Sequence, residues 1–118
     1  MSGKRRLLIV DDEEEILEFL VRVFRDFESK TALSAESALD ILQHERFDVL
    51  VTDIRMPGAG GLSLIDSAKR IWPDLPIVVI TGNYQEMPPA VKDKVHHWIV
   101  KPFTVETIRK AVAGALGA

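Results

Sequence analysis

Val49-Leu50-Val51-Thr52-Asp53-Ile54-Arg55-Met56-Pro57-Gly58 holds a pattern that recurs along the rest of the chain. Val49–Thr52 is a short unbroken run, as in a strand buried on both faces of a parallel sheet. It delivers an acid, Asp53, into a loop marked by Pro57-Gly58-Ala59-Gly60-Gly61. Upstream, Leu7–Val10 is a run of the same kind and is followed by Asp11 and Asp12. Downstream, Ile77–Ile80 is followed by Thr81, and Trp98–Val100 by Lys101. A short strand over Lys30–Ala32 completes a set of five.

Between these runs the apolar spacing becomes helical. From Glu14 to Phe27 it places Ile16, Leu17, Leu20, Val21, Phe24 and Phe27 on one side. Ser34 is a plausible N-cap for a helix that turns Ala38, Leu39, Ile41 and Leu42 inward. A third helix turns Leu62, Leu64, Ile65, Ala68 and Ile71 inward and ends at Trp72-Pro73. Thr104 caps a last helix with Val105, Ile108, Val112 and Leu116 inward. Tyr84–His97 contains Pro88-Pro89, so the helix between the fourth and fifth strands is expected to be short or irregular. Alternating strands and helices point to an α/β fold, a parallel sheet with helices on both faces, with few topologies left by right-handed crossovers.

The 118 residues fit a single domain over 1–118, long enough to bury a core without staples. Hydrophobic residues make up 47% and charged residues 28%, as in globular rather than disordered chains. A net charge of −3 provides no basic footprint, so no nucleic-acid partner is expected for this segment. The absence of cysteine excludes disulfides, thiolate zinc sites and a cysteine nucleophile. Basic Met1–Arg6 followed by Leu7–Val10 resembles a signal peptide, but the apolar run is too short and ends in acid. No run approaches the length of a membrane span, so a soluble, cytoplasmic location with no membrane partner is expected.

The polar residues that follow the strands share one edge. In open parallel sheets ligands bind outside the carboxyl ends of the strands, where strand order reverses. With strand order 2-1-3-4-5 that point falls between strands one and three, which deliver Asp11, Asp12 and Asp53. Three uncompensated carboxylates there would repel one another and destabilise the fold. A hard divalent cation such as Mg²⁺ relieves this with oxygen ligands from carboxylates and waters. Thr81 adds a hydroxyl and Lys101 a positive charge. Together they describe a site that stabilises a transferring phosphoryl group, with an aspartate as nucleophile.

At these residues the chain resembles response-regulator receiver domains of two-component signalling. The matching strings are Leu8-Ile9-Val10-Asp11-Asp12-Glu13, Thr52-Asp53-Ile54-Arg55-Met56-Pro57-Gly58, Val79-Ile80-Thr81-Gly82 and Val100-Lys101-Pro102-Phe103, in order and each at a strand end. The resemblance implies a flavodoxin-like doubly wound sheet of order 2-1-3-4-5. It implies a phosphoacceptor rather than an enzyme acting on other substrates, one that promotes its own phosphorylation and dephosphorylation. Asp53 would take the phosphoryl group from a sensor histidine kinase or phosphotransfer protein, and a downstream output protein or domain would read the result. Asp12 and Asp53 would bind Mg²⁺ directly with the backbone carbonyl of Arg55, and Asp11 largely through water. Thr81 would hydrogen-bond the phosphoryl oxygens, Lys101 would pair with them, and Gly82 would leave room for entry. Lys101-Pro102 would be cis, and Trp98 would hold the position of the aromatic that moves with Thr81.

Two other functions compete. A pseudo-receiver, an interaction module without phosphorylation, should have lost an acid, the threonine or the lysine, and this chain keeps them all. A phosphohydrolase would need a cap and often a second acid two residues past its nucleophile, where this chain has Arg55 and no insertion. The chain departs from the family in Ala59-Gly60-Gly61, which is expected to loosen the loop, and in Lys94-Val95 before strand five. With Pro88-Pro89, this predicts a remodelled output face. Arg55 and Asn83 are expected to flank the site and tune hydrolysis of the acyl phosphate. Adjacent His96 and His97 point to opposite sides of an extended segment and are not expected to share a metal.

Overall fold

The computed structural model describes residues 4–55, 60–82, 95 and 97–117. Its five strands are β1 (Arg6–Val10), β2 (Glu28–Ala32), β3 (Val49–Asp53), β4 (Ile77–Thr81) and β5 (His97–Val100). All pairings are parallel, in the order β2-β1-β3-β4-β5. The described helices are α1 (Glu14–Val23), α2 (Ala35–His44), α3 (Gly60–Ile71) and α4 (Val105–Ala115).

Side-chain alternation divides the core into two layers. Leu8, Val10, Leu50, Ile77 and Val79 face α2 and α3, meeting Ala38, Leu42, Leu64, Ile65 and Ala68. Leu7, Ile9, Val49, Val51, Val78 and Ile80 face α1 and α4, meeting Leu17, Leu20, Phe24, Ile108 and Val112. Strands buried on both faces have no polar side to display, which is why the sequence shows continuous apolar runs. The register sets Val10 beside Thr52, Asp53 beside Ile80 and Thr81 beside Val100. The strand ends therefore finish level along one edge.

The two expected caps form. Ser34 Oγ accepts from the Ser37 N–H and Thr104 Oγ1 from the Thr107 N–H, each at 3.1 Å. Several boundaries differ from the sequence expectation. α1 stops at Val23 rather than Phe27, because Phe24 leaves helical geometry as its cap. Phe24 and Phe27 prolonged the apolar spacing because their rings meet edge to face, with centroids 5.4 Å apart. β2 begins two residues before Lys30, since exposed side chains on a sheet-edge strand hide its start. Val21, Leu62 and Val105 were expected inward but are 38%, 36% and 45% exposed. Val21 lies about 100° round the helix from Leu20, and Leu62 about 200° from Leu64, beyond the face the sheet covers. Val105 opens α4 one turn before Ile108 reaches the core.

Gly60 and Gly61 also correct an expectation. They do not simply loosen the loop, because they start α3 hard against the end of β3. Gly60 has φ +76°, and a Cβ on Gly61 would lie 2.4 Å from the Asp53 carbonyl oxygen and 2.6 Å from Ile54 Cα. Only a hydrogen fits there. Met56–Ala59 and the expected short helix around Pro88-Pro89, with its output face, lie outside the described residues.

Gly61→Ala is therefore expected to lower stability by about 1–3 kcal/mol through overpacking. Urea denaturation measures this, and an unchanged midpoint would mean that the β3–α3 junction yields freely.

Candidate functional site

Asp53 closes β3 and is 5% exposed. Its Oδ1 accepts from the Arg55 N–H at 2.8 Å, and its Oδ2 accepts from Lys101 Nζ at 2.7 Å. Lys101 follows β5, and its backbone N–H donates to the Thr81 carbonyl at 2.8 Å, which holds it beside β4. The Lys101-Pro102 peptide is cis. Asp11 follows β1, with its backbone N–H donating to the Ala32 carbonyl at 3.2 Å. Its Oδ1 accepts from the Glu13 N–H at 2.9 Å. Its Oδ2 is buried and has no hydrogen-bond partner among the described residues. Asp12 is exposed beside it. Oxygens from Asp11, Asp12 and Asp53 lie within 4.8 Å of one another.

Burial, first of all, pushes the Asp11 carboxyl up to about 6, and the field of Asp53 adds to it. The Glu13 N–H and the Lys101 charge oppose the rise, while a proton on Asp11 can be shared with Asp53. On Lys101, burial works against the charge, but the hydrogen bond to Asp53 and the fields of Asp53, Asp11 and Glu13 outweigh it and raise the pKa. The lysine therefore stays an ammonium, and the acids hold more negative charge than it neutralises.

The backbone thus brings Asp11, Asp12, Asp53 and Lys101 together. Thr81, fully buried at the end of β4, stands on the adjoining strand. Trp98 lies across from Val79, half-buried against the α2/α3 layer. Thr81 is two residues past Val79, so alternation places it on that same face. Arg55 is exposed, and its N–H is committed to Asp53. Among the described residues nothing lies within 4 Å of where a Cβ on Gly82 would stand. His97 belongs elsewhere: its Nε2 would lie 2.7 Å from a Cβ on Gly114 of α4. Asn83 and His96 lie outside the described residues. Two contributions had no clear sequence signal, the Glu13 N–H on Asp11 and the close approach of Gly61 to Asp53. Both depend on how the backbone turns after the strand, where residue type says little.

A cluster with an orphaned buried carboxylate oxygen suits a hard divalent cation better than it suits empty protein. Because the folded-state pKa of Asp11 lies above the ordinary 3.8, its protonated form stabilises the fold at low pH, and that contribution is lost as pH rises towards about 6. In chelator-treated protein, Asp11→Asn is expected to match the parent near pH about 4 and exceed it by about 2 kcal/mol above pH about 7. Denaturation across that pH range checks this; a constant difference would remove Asp11 as the source.

The family model of the response regulator receiver domain matches residues 7–113. Response regulator protein PilR of Pseudomonas aeruginosa is 32% identical over 97% of this chain, which spans only 26% of PilR. A chemotaxis protein CheY homologue of Campylobacter jejuni is 32% identical over 95% of this chain and 92% of its own length. Among solved structures, response regulator TrrA of Thermotoga maritima, in complex with Mg²⁺-BeF, superposes with a TM-score of 0.88 at 27% identity, covering 95% of this chain and 99% of TrrA. No helix among the described residues is long and apolar enough to cross a membrane. Strand order, the composition of the carboxyl edge and these likenesses agree: the chain belongs to the response regulator receiver domain family.

Proposed function

We propose that the chain is a phosphoacceptor switch in which Asp53 takes a phosphoryl group from the phosphohistidine of a sensor kinase or phosphotransfer protein. The observation that carries this reading is the placement of Asp53 between an ammonium 2.7 Å from its Oδ2 and two further carboxylates, one with an unsatisfied oxygen. An isolated aspartate nucleophile needs positioning and charge compensation, and both are present.

Asp12, Asp53 and the Arg55 carbonyl are the proposed ligands of Mg²⁺, with Asp11 acting through water. Bound there, the ion would supply positive charge to the phosphoryl oxygens and hold them in line. The chain's own groups do the rest. The Arg55 N–H on Oδ1 fixes the Asp53 carboxylate plane. A free lone pair of that carboxylate attacks phosphorus as the P–N bond to histidine breaks, leaving an acyl phosphate. Lys101 shifts from the carboxylate to the new phosphoryl oxygens, and the Thr81 hydroxyl closes on them. With Thr81 drawn in, Trp98 on the same face has space to rotate, and an output protein or domain senses the difference. The setting is proposed to be cytoplasmic, and residues 1–118 to form one receiver domain.

Intact mass after incubation with Mg²⁺ and acetyl phosphate tests this. One phosphoryl adduct is expected, absent from Asp53→Ala and after chelation, with a change in Trp98 fluorescence in a Trp72→Phe background. Bound Mg²⁺ without an adduct would favour the pseudo-receiver. Arg55, exposed beside the acceptor, bears on water access to the acyl phosphate. Arg55→Ala is expected to change the adduct's lifetime by about tenfold, roughly 1.4 kcal/mol in the hydrolysis barrier. An unchanged decay curve would leave Arg55 without that role.

A further inference from the structure

Leu20 is buried beneath α1, and Phe19 and Val21 lie about 100° to either side of it. Each of the two is 38% exposed, and each borders a different hollow. One hollow, about 650 Å³ in volume, runs between α1 and α4, with Phe19 and Val105 as apolar walls. The other, about 430 Å³, lies between α1 and the start of β2, walled by Val21 and Phe27. Arg22 is about 200° from Leu20, so it stands on the outer crown of the helix. Arg22 and Arg25 line both hollows. The end of α1 is therefore a basic ridge with an apolar hollow on each flank.

The helix macrodipole favours bases at a helix C-terminus. It accounts for the arginines but not for the apolar side chains left uncovered beside them. Among the described residues six large apolar side chains are exposed, and Phe19, Val21 and Val105 are three of them. Apolar surface gathered in this way marks a place that something covers. The ridge is also short of counter-charge. Asp26, the acid in the first hollow, is taken through both oxygens by Arg109, at 3.0 and 2.9 Å. Arg22 reaches only the Glu18 carbonyl, at 3.4 Å. Among the described residues neither Arg22 nor Arg25 forms an ion pair with a carboxylate.

We propose that this end of α1 binds an acidic, extended segment of a partner protein, seated across the ridge with one apolar side chain in each hollow and a carboxylate between them on Arg22 and Arg25. An extended backbone advances about 3.3 Å per residue, and side chains two and four positions apart point the same way. Anchors four positions apart therefore stand about 13 Å from each other, enough to straddle a helix about 10–12 Å across, and the residue midway faces the crown. A carboxylate there matches a guanidinium through two hydrogen bonds. A phosphate backbone or a lipid headgroup would meet the arginines but leave both hollows unfilled, and a purely apolar segment would cover the guanidiniums without supplying counter-charge. Exposed ion pairs contribute little one by one. The apolar anchors therefore supply the affinity, and the charges select the partner and fix its register. None of these residues belongs to the acid cluster, so this binding stands or falls independently of phosphorylation.

Fluorescence anisotropy tests this, with a dye-labelled peptide carrying two leucines and, between them, aspartate, glutamate and aspartate. The whole chain is titrated into it without Mg²⁺ or a phosphodonor. Saturable binding with a Kd of about 10–100 μM at low salt is expected. A peptide of the same composition with its leucines adjacent should bind at least about fivefold more weakly, because its anchors cannot reach both hollows. Arg22→Glu together with Arg25→Glu should weaken binding at least about tenfold and turn the preference to a peptide with three lysines in place of the acids. Phe19→Ser and Val21→Ser, one on each flank, should each weaken it about fivefold, with circular dichroism confirming that every variant is folded. An anisotropy that shows no saturable binding up to about 1 mM overturns the proposal. So does binding indifferent to the leucine spacing or to the arginine reversal, or a single-stranded oligonucleotide or anionic phospholipid vesicle that competes as well as the unlabelled peptide.

Discussion

The Lys101 ammonium, 2.7 Å from Asp53 Oδ2, is the counter-charge on which the carboxyl end of the sheet depends. Asp11 and Asp53 are almost wholly buried, and Asp12 stands against them. Carboxylates held this close in a low-dielectric setting tolerate full ionisation only if something positive shares the space. Lys101 meets that need in part, because its side chain is still about a third exposed and one ammonium faces three acids. Burial first, and the field of Asp53 after it, raise the pKa of Asp11, and one of its oxygens stays unsatisfied among the described residues. The same imbalance that weakens the empty fold prepares it for a cation and a phosphoryl group, since whatever brings positive charge to this edge also relieves the repulsion.

Geometry at the site follows from the sheet rather than from the side chains themselves. Parallel pairing with level registers delivers four strand ends to one line, and the 2-1-3-4-5 order opens a crevice between β1 and β3. The backbone then makes the fine adjustments. Glu13 and Arg55 each turn an N–H back onto the acid two residues before, and Lys101 is tied to the Thr81 carbonyl. Gly61 lets α3 start within contact of the Asp53 carbonyl. These are short-range backbone constraints with little freedom, so the carboxylates are held in place before any ligand arrives.

The opposite end of the sheet shows what charges do when they have only a structural task. Arg6 donates to Glu28 at 2.7 Å, to Glu45 at 2.6 Å and to the Arg46 carbonyl at 2.7 Å, and its guanidinium lies 4.5 Å from the Phe47 ring centroid. Its own N–H is taken by Asp48, and Lys30 adds a second cation to Glu45. Each of these acids has a cation or a backbone N–H against its carboxylate. At the carboxyl edge Asp11 Oδ2 has neither among the described residues, and that contrast distinguishes a site from a staple.

Much of this was legible in the sequence because two periodicities leave a direct record. Runs such as Leu7–Val10 and Ile77–Ile80 announce strands buried on both sides, and the acids, threonine and lysine that follow them announce a shared edge. The strand-end motifs carried the family. Legibility failed where residue type underdetermines position. The last turn of α1 was over-read because Phe24 and Phe27 prolong the apolar spacing while packing on each other. Val105 was expected inside because hydrophobicity does not say which degree of helix rotation meets the sheet. Gly61 was taken for slack when it is a point of contact. The sequence by itself therefore determined the element types, the set of chemical groups and the edge on which they gather, because these depend on local spacing and on strand ends. Only the tertiary structure decided which carboxylate is buried and unsatisfied, which oxygen Lys101 holds, and which face of α1 is left uncovered, because burial, field and contact arise between segments distant in the chain.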